Sequence, residues 1–161
     1  MIIGIDLGGM SAKGAVLKDG ELLGKTRVKT SADRSAEETA GELAQLAMQT
    51  AENAGIPFEK VQAIGIGSPG VIDSKTGTVV NWTNFSWKDV PLARIIKERT
   101  GKQVFVTNDA NAAALGEAKY GAGKNYSDSV LITIGTGIGG GIILGGRLVE
   151  GVRSAGAEVG H

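Results

Sequence analysis

Residues 1–30, MIIGIDLGGMSAKGAVLKDGELLGKTRVKT, decide the fold. An apolar run at 2–6 ends on Asp6 and leads into Leu7-Gly8-Gly9. A second run covers 12–18, and Asp19-Gly20 follows it. Asp-Gly suits two-residue hairpins because both of its residues tolerate the positive φ that such a turn demands. Residues 21–30 supply a third strand. The chain therefore opens on a three-stranded meander.

Beyond Thr30 the hydrophobic period changes from two to helical spacing. Ser35 and Glu38 read as a capping box. Ala36, Ala40, Leu43, Ala47 and Ala54 recur on one helical face, and Gly55 stands where a helix terminates. Residues 61–67 form an apolar strand that ends in Ser68-Pro69-Gly70. Residues 71–73 and 78–81 flank a Ser-Lys-Thr-Gly turn and predict a hairpin. Pro91 opens a helix carrying Leu92, Ile95 and Ile96, with Gly101 after it. A strand at 103–107 delivers Asn108-Asp109 at its carboxyl end, and an alanine-rich helix runs on to about Tyr120. The order β-β-β-α-β-α-β-α implies an α/β protein with a mixed sheet covered by helices.

The polar stretch GAGKNYSD, residues 121–128, is the candidate boundary between lobes at 1–121 and 128–161. After it come a strand at 129–134, a glycine loop at 135–140, a strand at 141–144, the hairpin pair Gly145-Gly146, and the start of a third strand at 147–150. Shifted by 126 residues, Asp19-Gly20 falls on Gly145-Gly146, Val16-Leu17 on Ile142-Ile143, and Gly9 on Gly135. The opening meander recurs, but no helix follows to cover the second copy. The expectation is an N-terminal part of a longer two-lobed protein, with an uncovered sheet face prone to self-association.

Composition narrows the function. Hydrophobic residues make up 42% of the 161 and charged residues 21%, enough apolar matter to build a core. The 17 basic and 17 acidic residues cancel, leaving no basic field for a nucleic-acid backbone. There is no cysteine, which excludes disulfides and thiolate-held metals within this stretch. No apolar run approaches the ~20 residues that span a bilayer, and the first residues lack a secretory pattern. These features predict a cytoplasmic protein that uses neither nucleic acid nor membrane. Glycine is in excess, 26 of 161 against an average of about 7%, and it clusters between apolar runs.

Four motifs carry chemistry. Asp6-Leu7-Gly8-Gly9 places a carboxylate at a strand end before a glycine turn, where free N–H groups bind phosphate and Asp6 can hold Mg²⁺ through water; a plain β-turn is the competing reading. Gly135-Thr136-Gly137-Ile138-Gly139-Gly140-Gly141 matches GxGxxG, but a strand follows it where a dinucleotide site needs a helix. What remains is a second glycine turn, equivalent to the first, or an ordinary hairpin. Asn108-Asp109-Ala110-Asn111 opens a helix in the manner of a crevice carboxylate, and equally in the manner of an N-cap, which the residues alone favour. Glu158-Val159-Gly160-His161 holds the sole histidine. Trp82 and Trp87 suit either sugar stacking or packing under the hairpin.

Taken together and in order, DLGG, GIGSPGVID at 65–73, VTNDANAAALGE at 106–117, ITIGTGIGGG at 132–141 and GAEVGH at the end resemble the ROK family of sugar kinases. Residues 84–92 resemble that family's sugar-side segment. The resemblance implies an actin/hexokinase-like (ribonuclease H-like) ATPase fold with a truncated second lobe, and ATP-dependent transfer of phosphate to the 6-hydroxyl of a hexose, glucose first. It implies Asp109 as general base, with Asp6, Gly8, Gly9, Lys13, Gly135, Thr136, Gly137, Gly139 and Gly140 around ATP and Mg²⁺. Gly70, Asn84, Asn108, Asp109, Glu158 and His161 would meet the sugar. In many members the histidine also binds zinc with three cysteines further on, which this stretch lacks. One departure stands out: the family's DxGGT reads here with Met10, which predicts weakened ATP handling. The rival readings are an N-acetylmannosamine or fructose kinase, a non-catalytic sugar-binding fragment, and a sugar-sensing repressor, the last disfavoured because Met1 runs directly into the first strand. The isolated stretch is expected to be inactive and to form a homo-oligomer.

Overall fold

The computed structural model describes residues 1–134 and 138–151. The chain divides into two compact units, 1–107 and 108–161.

The first unit is built on a five-stranded sheet of order β3-β2-β1-β4-β8. Its strands are β1 (Ile2–Leu7), β2 (Ser11–Lys18), β3 (Glu21–Lys29), β4 (Ala63–Ser68) and β8 (Gln103–Asn108). The meander pairs antiparallel and β1 pairs parallel with β4, so the sheet is mixed. Asp19 and Gly20 turn at φ 50° and 89°, the conformation their identity predicted. On β1, Ile3, Ile5 and Leu7 point into the core and Asp6 points out. Helix α1 (Ala36–Asn53) covers the apolar side with Leu43, Leu46 and Ala47, all fully buried. Each buried leucine contributes about 1.5–3 kcal/mol of burial, and the alanine methyl less. The capping box is present: Glu38 N–H donates to Ser35 Oγ at 3.2 Å, and Ser35 N–H to Glu38 Oε2 at 2.8 Å. Gly55 follows at φ +67°, closing the helix as expected. Helix α2 (Leu92–Thr100) packs Leu92 and Ile96 into the same core.

A second, three-stranded sheet joins β5 (Val71–Asp73), β6 (Thr78–Trp82) and β7 (Trp87–Val90) in that order. β7 was not anticipated, because exposed Lys88 and Asp89 interrupt its apolar pattern. Its buried ends, Trp87 and Val90, hold it in place. Trp82 stacks on Phe85 at 3.9 Å, and Trp87 meets both rings edge-on. Both tryptophans are only 4% exposed, so they pack beneath this sheet and offer no face for a sugar. Gly70, at φ +90°, brings the chain so near β6 that a Cβ would collide with the Asn81 carbonyl oxygen.

The second unit sets helix α3 (Asp109–Tyr120) on one face of a sheet of order β11-β10-β9. The strands are β9 (Ser129–Ile134), β10 (Ile138–Leu144) and β11 (Arg147–Leu148). They recur at the 126-residue shift from β1, β2 and β3, and Gly145-Gly146 turns at φ 55° and 73° as Asp19-Gly20 does. β10 starts at Ile138, earlier than the expected Gly141, and takes in Gly139 and Gly140. The reason is packing. At Gly141 a Cβ would collide with Ala114 of α3, and at Gly139 it would lie 2.7 Å from Thr133 Oγ1 and 3.3 Å from Ala110. Because α3 seats on β10, the compact units divide ahead of the polar connector at 121–128, which lies inside the second unit. The other face of this sheet carries Val130, Ile132, Ile134, Ile138 and Leu144, all 56% exposed or more.

Candidate active site

In the first unit, Asp6 stands at the carboxyl end of β1 on the solvent side. Lys13, directly opposite on β2, places Nζ 3.1 Å from Asp6 Oδ2. Both side chains are about 60% exposed, so this pair is worth at most ~1 kcal/mol and opens readily to a ligand. The Gly8–Met10 turn joins the two strands. Gly8 N–H donates to the Ser11 carbonyl at 3.0 Å, so that N–H closes the turn and is not offered to phosphate, contrary to the expectation for Gly8. The N–H groups of Gly9 and Met10 have no partner among the described residues. A Cβ at Gly9 would meet only Phe85, at 4.0 Å, so glycine there leaves room for close approach rather than relieving strain. Thr30 holds the turn from behind, its Oγ1 donating to the Gly8 carbonyl at 2.7 Å and its N–H to the Met10 carbonyl at 3.2 Å. Sequence reasoning missed Thr30. Its only signal was a hydroxyl at the end of an edge strand.

Asn84 lies in a 3₁₀ turn at Thr83–Phe85, held by buried Phe85 and followed by Ser86 at φ +52°. Its side chain is exposed and has no hydrogen-bond partner among the described residues. Gly70 belongs to the same unit, at the turn into β5.

At the start of the second unit, Asn108 and Asp109 sit differently on α3. Asn108 is the N-cap. Its Oδ1 accepts from Ala110 N–H at 3.0 Å and Asn111 N–H at 3.2 Å, satisfying two donors that the helix leaves open. Asp109 is the first helical residue and is exposed. One carboxylate oxygen, Oδ1, accepts from Ala110 N–H at 2.8 Å, and Oδ2 has no partner among the described residues. One oxygen is oriented and the other is open, as a general base needs. Asn111 is buried at 7% exposure, and its Oδ1 has no partner among the described residues. Gly139 and Gly140 lie in the β9–β10 ladder rather than in a loop, where the approach of α3 explains Gly139. Gly135, Thr136, Gly137, Glu158 and His161 lie outside the described residues.

These groups suit hard ligands. The Asp6 carboxylate beside two free N–H groups and a lysine fits a magnesium-bound phosphate, since Mg²⁺ keeps several waters and takes one or two carboxylates plus phosphate oxygens. Among the described residues no three acidic or histidine side chains gather to hold a metal unaided. Within these 161 residues no cysteine is present to supply a thiolate for zinc. No helix among the described residues is long and apolar enough to cross a membrane.

Residues 2–161 match the ROK family over their whole length, and the chain belongs to that family. It is 41% identical to a glucokinase from Thermotoga maritima across 99% of this chain and 50% of that protein. The structure superimposes on a ROK family glucokinase from Streptomyces griseus, in complex with glucose and AMPPNP, with a TM-score of 0.89. The two are 38% identical across 99% of this chain and 49% of the other. A ROK hexokinase from Thermus thermophilus gives a TM-score of 0.87 and 40% identity, across 99% and 52%. The chain spans about half the length of these relatives and carries the first part of their actin/hexokinase-like fold.

Proposed function

We propose that this protein phosphorylates a hexose, glucose first, at its 6-hydroxyl with ATP as donor, acting in the cytoplasm. The observation that carries the reading is Asp109, an exposed carboxylate with one oxygen fixed by the helix and the other open, in a chain 41% identical to a glucokinase. Asp109 Oδ2 takes the hydroxyl proton as the sugar oxygen bonds to the terminal phosphorus and the phosphoanhydride bond breaks. Phosphoryl transfer asks mainly for positioning and charge neutralisation. Gly9 and Met10 N–H groups receive phosphate oxygens, and Lys13 leaves Asp6 to meet them. When bound, Mg²⁺ neutralises phosphate charge, and Asp6 is the residue that would hold it through water. The family resemblance gives the sugar contacts to Asn84 and the Gly70 backbone in the first unit and to Asn108 in the second, and it gives Glu158 and His161 the same role from their motif alone. The exposed apolar face of β9–β10 supports pairing of the 161-residue chain with a second copy, since contiguous exposed apolar faces seek cover.

The test is ADP release by the whole protein over glucose, fructose and N-acetylmannosamine. Glucose-dependent release that Asp109→Asn abolishes is expected. Release with none of these sugars would end the reading, and preference for N-acetylmannosamine or fructose would move it within the family.

A further inference from the structure

Met10 is 85% exposed, Met48 is 38% exposed and Met1 is half-buried. With three methionines and no cysteine in the chain, Met10 is the most accessible sulfur and no thiol competes with it. Its backbone is tied down on both sides, through Gly8 N–H to Ser11 and through its own carbonyl to Thr30 N–H. The side chain is the exposed part, on a residue whose own N–H, like that of Gly9, has no partner among the described residues.

We propose that Met10 is a modification site for hydroperoxides, and that its oxidation lowers the turn's hold on phosphate. The sulfur lone pair attacks the distal oxygen of the peroxide and the O–O bond breaks. The oxygen stays on sulfur as sulfoxide, and the other fragment leaves as water or alcohol, carrying the peroxide proton. A dithiol reverses the step, taking the oxygen off as water and becoming a disulfide. Oxidation turns an apolar thioether into a group with a strong acceptor oxygen. That oxygen competes for the Gly9 and Met10 N–H groups and repels phosphate oxygens. The consequence rests on the reading of this turn as a phosphate cradle, whereas the oxidation itself rests only on exposure and the absence of thiols.

The test treats the 161-residue chain with limiting hydrogen peroxide and follows each methionine by peptide mass spectrometry, with and without sodium tripolyphosphate. Met10 sulfoxide is expected ahead of Met48 sulfoxide by at least the 85:38 ratio of their exposures, and tripolyphosphate should slow oxidation at Met10 alone. Calorimetric titration with tripolyphosphate should show the oxidised chain binding about fivefold more weakly, the loss of one net hydrogen bond. The Met10→Leu chain should be insensitive to peroxide, and Met48→Leu should remain sensitive. Oxidation of Met48 level with or before Met10 overturns the site. Unchanged tripolyphosphate affinity in the Met10-oxidised chain overturns its consequence. If tripolyphosphate neither binds nor protects while Met10 still oxidises first, the cradle reading falls together with the consequence, and the modification site stands.

Discussion

Replacing Asn108 by Ala separates the structural from the chemical half of the Asn108-Asp109 pair. The substitution strands two N–H groups, those of Ala110 and Asn111, whose bonds to Asn108 Oδ1 are 3.0 and 3.2 Å. Loss of an asparagine N-cap typically costs about 1 kcal/mol and reaches ~2. Ala110 and Asn111 are both only 7% exposed, so water reaches the stranded donors poorly and the upper half of that range is expected. For a chain of this length 1 kcal/mol moves the melting midpoint by roughly 2–4 °C, so a fall of about 3–8 °C should appear in circular dichroism. Asp109→Asn keeps the shape and removes only a charge near the start of α3, worth about 0.3–1 kcal/mol. Its midpoint should therefore fall by about 1–4 °C, less than for Asn108→Ala. Asn108→Ser, which restores an acceptor, should recover most of the loss. If Asp109→Asn destabilised as much as Asn108→Ala, or Asn108→Ser recovered nothing, the assignment of cap and base would be wrong.

Gly70→Ala must place a Cβ against the Asn81 carbonyl at φ +90°; strain and overpacking of about 2–4 kcal/mol should show as a lowered urea midpoint. Met10→Thr touches an 85% exposed side chain and should alter stability by less than ~0.5 kcal/mol while tightening tripolyphosphate binding in calorimetry; unchanged affinity would remove the hydroxyl from the account of this turn. Acid should weaken the fold through Glu38 and Asp73. The Ser35 hydroxyl and N–H hold Glu38 below its ordinary 4.5, and the Thr76 hydroxyl and neighbouring N–H groups hold Asp73 below its ordinary 3.8. Carboxylates depressed in the folded state contribute stability that is complete above their unfolded values and is lost as pH falls through the folded ones. The urea midpoint should therefore decline below about pH 4.5, and Ser35→Ala should flatten part of that decline.

The features legible in the chain are those with local causes. Asp19-Gly20 and Gly145-Gly146 turn as read because their positive φ values are a property of those residues. Ser35 and Glu38 cap α1 because three-residue spacing suffices. The 126-residue recurrence survived because it rests on turn chemistry and strand spacing. Features set by distant partners were not legible. β7 is a strand because Trp87 and Val90 pack against β6, although Lys88 and Asp89 interrupt its pattern. Gly139 and Gly140 read as loop and are strand, because the glycines of β10 answer to Ala110 and Ala114 on α3. At the candidate site, type and position single out Asp6 and Asp109 as exposed carboxylates, one at the end of β1 and one at the start of α3. That Asn108 rather than Asp109 caps the helix, and that Gly8 N–H is already occupied, follows from hydrogen bonds that spacing does not reveal.

The bare face of Val130, Ile132, Ile134, Ile138 and Leu144 also bears on handling the 161-residue chain. A sheet clothed on one side and oily on the other behaves as a surfactant, drawn to air–water boundaries, plastic and chaperone clefts. Salts excluded from protein surfaces, such as sulfate, strengthen that attraction. Ammonium sulfate should thus bring the chain down sooner than its neutral charge alone would suggest, and gentle agitation should cost more material than gentle warming.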